Sequence, residues 1–264
     1  MTLTNELLQT AIDASIEAGK AILEVYNTDF DVETKDDKSP LTEADKRSHN
    51  VIKKYLDKTN IPVLSEEGKH DDFSTRKDWD NLWIVDPLDG TKEFVKRNGE
   101  FTVNIALAEG NTPVMGVIYV PVTGDLYFAS KDHGAYKVTT KESADVSILI
   151  DKADKLPIDQ NRDKFVVVGS RSHMSEETEA FINDIKEKHG DVEILSRGSS
   201  LKLCMVAEGS ADFYPRYAPT MEWDTAAGHA ICTAAGFKVT QYETEKPVIY
   251  NKENLLNPWF LVHR

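Results

Sequence analysis

The sequence predicts a mixed α/β protein, with an α+β N-terminal half followed by an α/β C-terminal half. Two helical patterns precede a set of short strands that ends near residue 138, and strand and helix patterns alternate from residue 165 onward. The 264 residues, 40% of them hydrophobic, are enough for a substantial core. A charged segment at about 141–163 indicates a boundary, so we expect halves at 1–150 and 151–264 in one compact unit with a cleft between them.

The elements of the N-terminal half follow from the spacing of apolar residues. Leu7, Ala11 and Ile22 belong to an apolar stripe that predicts a helix over about 4–26. The segment from Thr42 to Asp45 resembles a capping box with Asp in place of Glu, and it opens a second helix. An alternating strand that we expect to be half-buried, and an antiparallel meander after it, complete this half. The predicted strands are Ile61–Leu64, Trp83–Val85, Phe101–Leu107, Val114–Val120, Leu126–Ala129 and Ala135–Val138.

The C-terminal half alternates between the two kinds of element. Short β-branched and aromatic runs predict strands, and longer amphipathic runs predict helices between them. The predicted strands are Phe165–Val168, Val192–Leu195, Ala211–Tyr214 and Phe237–Gln241, and the predicted helices are 175–188, 200–208 and 224–235.

Composition and charge exclude several classes of function. A formal net charge of −14 argues against a protein that binds the nucleic-acid backbone. A small phosphorylated substrate remains compatible if metal ions and a local basic patch offset the overall field. No apolar run approaches the roughly 20 residues that span a membrane, and the amphipathic N-terminus lacks the features of a signal peptide. Cys204 and Cys232 are expected to be buried thiols, which indicates a cytoplasmic protein and leaves peripheral membrane association open.

The run WIVDPLDGTKEF, residues 83–94, is the most informative stretch of the chain. A short apolar strand leads into Asp86 and Asp89, and Pro87 and Gly90 force the backbone to turn between and after them. Two carboxylates on one rigid turn suit Mg²⁺, which binds carboxylates, waters and phosphate oxygens. Thr91 offers a hydroxyl and opens a helix whose N–H groups could receive a phosphate. An ordinary solvated turn is an equally good interpretation of the five-residue pattern DPLDG taken alone.

Together with WDTAAGHAI (223–231), this run resembles the inositol monophosphatase superfamily of Mg²⁺-dependent, Li⁺-sensitive phosphatases. More closely, DPLDGTKEFVKRNGEFTVNIAL, GSRSH, RGSSLK, VAEG and YPR are similar to the CysQ-type 3′(2′),5′-bisphosphate nucleotidases of that superfamily. The resemblance runs from Ser39 to the C-terminal LNPWF and so covers most of the chain. It implies a layered αβαβα sandwich.

The resemblance also implies a set of metal ligands for two or three Mg²⁺ ions. Without a metal, clustered carboxylates would repel one another and their pKa values would rise. Taken singly, Glu66 is equally well explained as a solvated turn residue, and Asp224 is better explained as a helix N-cap. The implied ligands are Glu66, Asp86, the Leu88 carbonyl, Asp89 and Asp224.

In the same family a Thr and an upstream Asp orient the attacking water, which here implies Thr91 and Asp45, with Glu66 as a further catalytic group. Asp45 also fits the role of the capping-box acid, and both roles can hold at once. The sequence shows neither a Cys-x5-Arg motif nor a Ser/His/Asp set, so a covalent phospho-enzyme has little support.

A second group of residues is implied to bind the substrate. A single Lys or Arg is usually just solvated, and His173 alone would more often be structural, but these residues occur together in the matching motifs. After the DGT turn the chain has Lys92, Glu93, Lys96 and Arg97, where inositol phosphatases commonly show T-N-F, and this departure is typical of the CysQ type. The implied substrate-binding residues are Gly90, Thr91, Ser170, His173, Gly198, Ser199, Lys202, Arg216 and Asp224.

The resemblance therefore implies hydrolysis of the 3′-phosphate of adenosine 3′,5′-bisphosphate to AMP and phosphate, with phosphoadenylyl sulfate as a further candidate substrate. The expected role is clearance of the by-product of sulfate assimilation. Two alternatives stay open: an inositol or sugar monophosphatase, and a non-catalytic phosphonucleotide sensor. We expect a small nucleotide as the partner, no nucleic acid, and a monomer, with a homodimer as the other oligomeric state.

Overall fold

The computed structural model describes residues 3–34, 40–169 and 175–264, so the candidate residues Ser170 and His173 lie outside the described residues. The helices are α1 Leu3–Tyr26, α2 Glu43–Leu56, α3 Phe73–Arg76, α4 Thr91–Val95, α5 Val146–Lys152, α6 Glu176–His189, α7 Leu201–Ala207 and α8 Glu222–Ala234. The strands are β1 Val32–Thr34, β2 Pro40–Thr42, β3 Val63–Ser65, β4 Asn81–Asp89, β5 Thr102–Glu109, β6 Thr112–Val120, β7 Asp125–Ser130, β8 Gly134–Thr139, β9 Asp154–Lys155, β10 Phe165–Gly169, β11 Val192–Ser196, β12 Tyr214–Arg216, β13 Lys238–Gln241 and β14 Phe260–His263.

The larger sheet runs in chain order from β3 to β9. Strands β3 and β4 are parallel, and every later pair in this sheet is antiparallel, which confirms the predicted meander. Helices α1 and α2 pack on one face, and α8 packs on the other. Because helices cover each face of this sheet, apolar side chains project from both faces.

The smaller sheet joins a parallel pair, β10 and β11, to the antiparallel strands β12, β14 and β13. A bridge between Val167 and Phe213 connects the two groups. Helices α7 and α8 contact this sheet as well, whereas α6 packs on β11 and β12. The result is five layers, α–β–α–β–α, as the resemblance implied.

Strand β5 is the clearest correction to the predicted burial. The prediction was a half-buried strand at Phe101–Leu107, but the strand is buried from Thr102 to Ala108. Val103, Ile105 and Leu107 face the α1 side, and Ala106 and Ala108 face the opposite core cluster. Small residues on the second face were taken for solvent-facing positions, although they are small because α8 approaches closely there.

Other boundaries also shift. The charged segment 141–163 is not irregular throughout, since it contains α5 and the edge strand β9 of the larger sheet. The strand predicted at Ala211–Tyr214 lies further on, at Tyr214–Arg216, where it pairs with β14. Strands β1, β2 and β14 and helix α3 had no predicted counterpart, because each is only three or four residues long and too short to show a period.

Two glycine contacts set how closely α8 lies to its neighbours. A Cβ atom on Gly116 of β6 would lie 2.2 Å from the carbonyl oxygen of Ala227, and one on Gly228 would lie 2.6 Å from Leu203 Cδ1. The small residues of TAAGHA therefore bring the helix into contact with the sheet on one side and α7 on the other. Among the described residues, no helix is both long and apolar enough to cross a membrane.

Candidate active site

The first carboxylates of the site lie where β3 and β4 end. Asp86 and Asp89 pair with Asn104 and Thr102 of β5, and the register shifts between the two pairs. This irregularity carries Pro87 and Leu88 and leaves both aspartates at the same strand end. Glu66 follows β3 directly, and its backbone N–H donates to the Val85 carbonyl at 3.1 Å. The parallel pairing of β3 with β4 thus brings Glu66 beside Asp86.

Helix α8 supplies the third segment of the site. One carboxylate oxygen each of Glu66, Asp86 and Asp224 lies within 4.8 Å of the others, an arrangement that could hold a metal ion. Asp224 is not the N-cap that the sequence also allowed, because the helix begins earlier, after Met221. Asp224 is the third residue of the helix, and its Oδ2 accepts the Met221 N–H at 2.8 Å.

Each of the three aspartates has one oxygen held by a backbone N–H. Asp86 Oδ1 accepts from Leu88 at 3.0 Å, and Asp89 Oδ2 accepts from Ser200 at 2.6 Å, in the manner of Asp224 and Met221. The second oxygen of each accepts no hydrogen bond from any described residue. Three fixed carboxylates with three unpaired oxygens are therefore suited to a hard cation.

The electrostatics of the cluster support the same interpretation. Burial raises the pKa of Asp86 well above its usual range, and the charges of Glu66, Asp89 and Asp224 raise it further. Burial also raises the pKa of Asp89, against the opposing effect of Lys202. The pKa of Asp224 rises to about 8 through burial and the charge of Asp89. A bound cation would remove this repulsion, so the donor set fits Mg²⁺.

Asp45 and Thr91 come together beside this cluster. Thr91 Oγ1 lies 3.1 Å from Asp45 Oδ1 and 3.3 Å from the Leu88 carbonyl oxygen. Asp45 Oδ2 accepts the Thr42 N–H at 2.7 Å and the Thr42 hydroxyl at 2.6 Å, so Asp45 is indeed the capping-box acid of α2. Burial raises the pKa of Asp45, and the two donors from Thr42 oppose that rise.

The segment Arg197–Ser200 connects the carboxylates to a buried lysine. Lys202, only 6% exposed, donates from Nζ to the carbonyls of Arg197 at 3.2 Å and Ser199 at 2.5 Å. Burial lowers the pKa of Lys202 to about 8, and the charge of Asp89 opposes this. Ser199 has a positive φ of 42°, which is strained for a residue with a side chain. Gly198 is needed because a Cβ there would lie 2.9 Å from the backbone carbonyl oxygen of Glu100.

These groups line one cavity of about 490 Å³, within the size range of small-molecule sites, roughly 300–1,000 Å³. Arg216 also lines it, donates to the Pro219 carbonyl at 3.0 Å, and has a buried Nε without a partner among the described residues. The lining residues are Glu66, Asp86, Leu88, Asp89, Gly90, Thr91, Lys92, Glu93, Lys96, Arg197, Gly198, Ser199, Ser200, Lys202, Leu203, Tyr214, Arg216, Pro219, Thr220, Asp224 and Thr225.

The cavity contains most of the site residues that the sequence predicted. Gly90, Gly198, Ser199, Lys202 and Arg216 line it together with the implied metal ligands, and Asp45 lies directly behind Thr91. Arg97, by contrast, turns away and donates to the backbone carbonyls of Tyr26 and Thr28.

Sequence reasoning missed several residues of the lining, notably Ser200 and Tyr214. Both lie inside quoted motifs, GSSLK and YPR. Their proximity to residues that the resemblance implies to bind the substrate was the only signal available from the sequence.

A larger cavity, about 830 Å³, lies between residues 157–165 and 209–213. Of its two arginines, Arg162 and Arg264, the first forms a two-pronged pair with Asp212 at 2.9 and 3.1 Å. None of the clustered carboxylates lines it. We therefore place the functional site in the smaller cavity.

The five layers and the carboxylate cluster define the class as a layered α/β protein built around a cation site. The chain belongs to the inositol monophosphatase family, whose profile matches residues 3–260. This is a family of metal-dependent phosphatases, and the acidic cluster agrees with that.

Two relatives are especially similar to this chain. A 3′(2′),5′-bisphosphate nucleotidase CysQ of Shigella flexneri is 43% identical over 261 residues, covering 97% of this chain and 99% of the relative. The crystal structure of CysQ from Bacteroides thetaiotaomicron, a bacterial member of the family, is 54% identical with a TM-score of 0.91, covering 99% of this chain and 98% of that one.

An inositol monophosphatase from Anabaena (Nostoc) sp. PCC 7120 shares the fold at 24% identity, with a TM-score of 0.72. It covers 99% of this chain and 92% of that one.

Proposed function

We propose that this protein is a Mg²⁺-dependent 3′(2′),5′-bisphosphate nucleotidase that converts adenosine 3′,5′-bisphosphate to AMP and phosphate. The observation that carries the proposal is one cavity that joins a carboxylate cluster to the buried Lys202 and to Arg216. The relatives called CysQ, at 43% and 54% identity over nearly the whole chain, support the same substrate. Phosphoadenylyl sulfate carries the same 3′-phosphate and is a second candidate substrate.

In this proposal Glu66, Asp86, the Leu88 carbonyl, Asp89 and Asp224 hold two or three Mg²⁺ ions. When bound, Mg²⁺ would neutralise phosphate oxygens and lower the pKa of a nearby water. A backbone N–H holds one oxygen of each aspartate, and carboxylate oxygens of Glu66, Asp86 and Asp224 already lie within 4.8 Å of one another, so little rearrangement is needed on binding.

Thr91 and Asp45 have the geometry to orient a water. The Thr91 hydroxyl has one proton, which it can give to Asp45 Oδ1 or to the Leu88 carbonyl but not to both. When the Leu88 carbonyl serves as a ligand, the proton goes to Asp45, and the Thr91 oxygen is left to accept a hydrogen bond from the attacking water. Asp45 cannot turn away, because Thr42 holds its other oxygen.

Lys202 and Arg216 supply the positive charge that a second phosphate requires. Lys202 is buried and points at two carbonyls, so its charge is only partly compensated in the free protein. An inositol monophosphate has no second phosphate to use this charge, which favours a bisphosphate substrate. Gly90, Gly198 and Ser199 contribute backbone to the same wall.

The test is phosphate release from four substrates: adenosine 3′,5′-bisphosphate, phosphoadenylyl sulfate, inositol 1-phosphate and fructose 1,6-bisphosphate. Each is measured with Mg²⁺ and with EDTA. We expect Mg²⁺-dependent release from the two nucleotides with a kcat/KM well above that for the other two. Equal turnover of inositol 1-phosphate would overturn the nucleotidase assignment in favour of a monophosphatase, and no release from any substrate would favour a phosphonucleotide sensor.

A further inference from the structure

Behind Asp89 lies a small buried network of three neutral polar side chains: Thr102 and Asn104 of β5, and Ser200 just before α7. Their exposed fractions are 0%, 1% and 3%, so water does not satisfy their polar atoms. Neither the metal ligands nor the substrate-binding residues assigned above include Thr102 or Asn104. Thr102 and Asn104 are two residues apart in a strand, so both side chains point to the same face, which α8 covers.

The three side chains meet at one oxygen. Asn104 Oδ1 lies 2.9 Å from the Thr102 hydroxyl and 2.9 Å from the Ser200 hydroxyl, and the two hydroxyls are 2.8 Å apart. Two hydroxyl protons serve three oxygens, so one amide oxygen acts as the acceptor on which the network converges. This use of Oδ1 fixes which way the amide of Asn104 faces.

The other end of the amide faces Asp89. Asn104 Nδ2 lies 3.4 Å from Asp89 Oδ2, the same oxygen that accepts the Ser200 backbone N–H at 2.6 Å. The reverse amide orientation would place two acceptor oxygens against each other. Ser200 therefore contributes twice, with its backbone to Asp89 directly and with its hydroxyl to the residue that also faces Asp89.

We propose that Asn104 is a positioning residue that, with Thr102 and Ser200, holds Asp89 Oδ2 and so keeps Asp89 Oδ1 turned toward the cation. This inference rests on the proposed function, in which Asp89 is a metal ligand. Residues that support a metal ligand in this way are worth about 10- to 100-fold in metal affinity. The network carries no charge, so it orients Asp89 without competing with the cation.

The test measures Mg²⁺ binding by calorimetry on the whole chain, without substrate. We expect Asn104→Leu to weaken Mg²⁺ binding by about tenfold or more. Thr102→Val and Ser200→Ala each remove one hydroxyl and should weaken it by a smaller factor. Thr102→Ser keeps the hydroxyl and should bind Mg²⁺ as the wild type does. Ser130→Ala is the matched control, because Ser130 has a buried hydroxyl in the same sheet without a partner among the described residues.

Melting temperatures of the same variants separate positioning from stability. A merely structural role would lower the melting temperature and leave the Mg²⁺ dissociation constant of the folded protein unchanged. An unchanged constant in folded Asn104→Leu overturns the proposal. Should that variant not fold, unchanged constants in both Thr102→Val and Ser200→Ala overturn it.

Wild-type turnover of adenosine 3′,5′-bisphosphate is measured alongside. If the wild type turns over the bisphosphate and Asn104→Leu leaves the Mg²⁺ dissociation constant unchanged, only the positioning role of Asn104 is overturned. If the wild type does not turn over the bisphosphate but Asn104→Leu still weakens Mg²⁺ binding, only the proposed substrate is overturned.

Discussion

Thr91 and Asp45 lie 46 positions apart in the sequence, yet the Thr91 hydroxyl lies 3.1 Å from Asp45 Oδ1. The other carboxylate oxygen of Asp45 is occupied by the cap of α2. One carboxylate therefore joins the start of a helix to the hydroxyl that faces the cavity. Asp224 occupies the same third position at the start of α8, where it also accepts an N–H from the residue before the helix.

Replacement of Asp45 by Asn should separate these two roles. We expect kcat for the bisphosphate to fall by about 100-fold, at the lower end of what a lost proton acceptor costs, while Mg²⁺ affinity changes little. Stability should fall by about 1 kcal/mol through the weakened cap. Steady-state phosphate release and thermal melting measure the two effects.

The control is Ser175→Ala, which removes the side-chain cap of α6. It should cost similar stability, about 1 kcal/mol, and leave kcat unchanged. Wild-type kcat in Asp45→Asn would reduce Asp45 to a capping residue.

Replacement of Asp86 by Asn should abolish Mg²⁺-dependent activity and leave the fold intact. The loss should exceed the roughly 100-fold that a supporting residue costs, because Asp86 lies in the carboxylate cluster itself. At 100 times its dissociation constant, Mg²⁺ stabilises the wild type by about 2.7 kcal/mol, and the variant should gain almost none of this. Thermal melts with and without Mg²⁺ measure this stabilisation in the wild type and in the variant. The control is Asp191→Asn, which removes an exposed ion pair with Lys164 and should keep the full stabilisation by Mg²⁺. Full stabilisation of Asp86→Asn by Mg²⁺ would contradict the ligand assignment.

The metal-free protein should lose stability as pH rises from 6.5 to 8. A carboxyl whose pKa is raised by folding contributes stability below its unfolded value, and this is lost as pH rises through the folded value. For Asp224 that window runs from 3.8 to about 8, and Asp86 and Asp89 shift in the same direction. Each pKa unit corresponds to about 1.4 kcal/mol.

Two other buried groups define the useful range. Burial lowers the pKa of His229 to about 4, so this residue makes stability increase with pH up to pH 6.5. The lowered pKa of Lys202 makes stability increase with pH above about pH 8. Denaturant unfolding in EDTA at pH 6.5, 7.2 and 8.0 is the measurement, and Mg²⁺ should restore more stability at the higher pH. Stability in EDTA that stays level or rises across this range would contradict the repulsion among the carboxylates.

Replacement of Lys202 by Met should raise KM for adenosine 3′,5′-bisphosphate by about 10- to 100-fold, the value of a hydrogen bond to a charged group, with a smaller change in kcat. Adenosine 3′-monophosphate lacks the second phosphate, so its KM should not change. Lys131→Met, which removes a surface lysine paired with Glu109, is the charge control. Equal KM increases for both nucleotides would show that Lys202 does not bind the second phosphate.

The residues alone predicted that Asp86 and Asp89 lie together on one turn at a strand end. The resemblance to the inositol monophosphatase superfamily implied the five-layer fold and added Glu66 and Asp224 to the same site. It also paired Thr91 with Asp45. The catalytic and binding roles of these residues stay predictions that the experiments above test.

What the sequence did not predict depends on contacts between distant segments. Asn104 lies inside the quoted motif DPLDGTKEFVKRNGEFTVNIAL, but within that motif only its polarity in an apolar strand sets it apart. Its relation to Ser200 arises only where α7 begins beside β5. The positive φ of Ser199 is likewise invisible in the letters GSS. The start of α8 was misplaced by two residues because Met221 is an unusual N-cap, and its backbone N–H, not its side chain, meets Asp224.

The tight contacts of α8 have a consequence for mutational tolerance. Gly116 against Ala227 and Gly228 against Leu203 fix the thickness of the layer between the two sheets, and Asp224 lies only three and four residues before Ala227 and Gly228. A methyl group added at Gly116 would push the helix away from the sheet that carries Asp86, and one added at Gly228 would push it away from α7. Either shift would change the position of Asp224 relative to Asp86. In WDTAAGHAI only the aspartate belongs to the carboxylate cluster, while the small residues after it act as a spacer, so the motif resists substitution for two unrelated reasons.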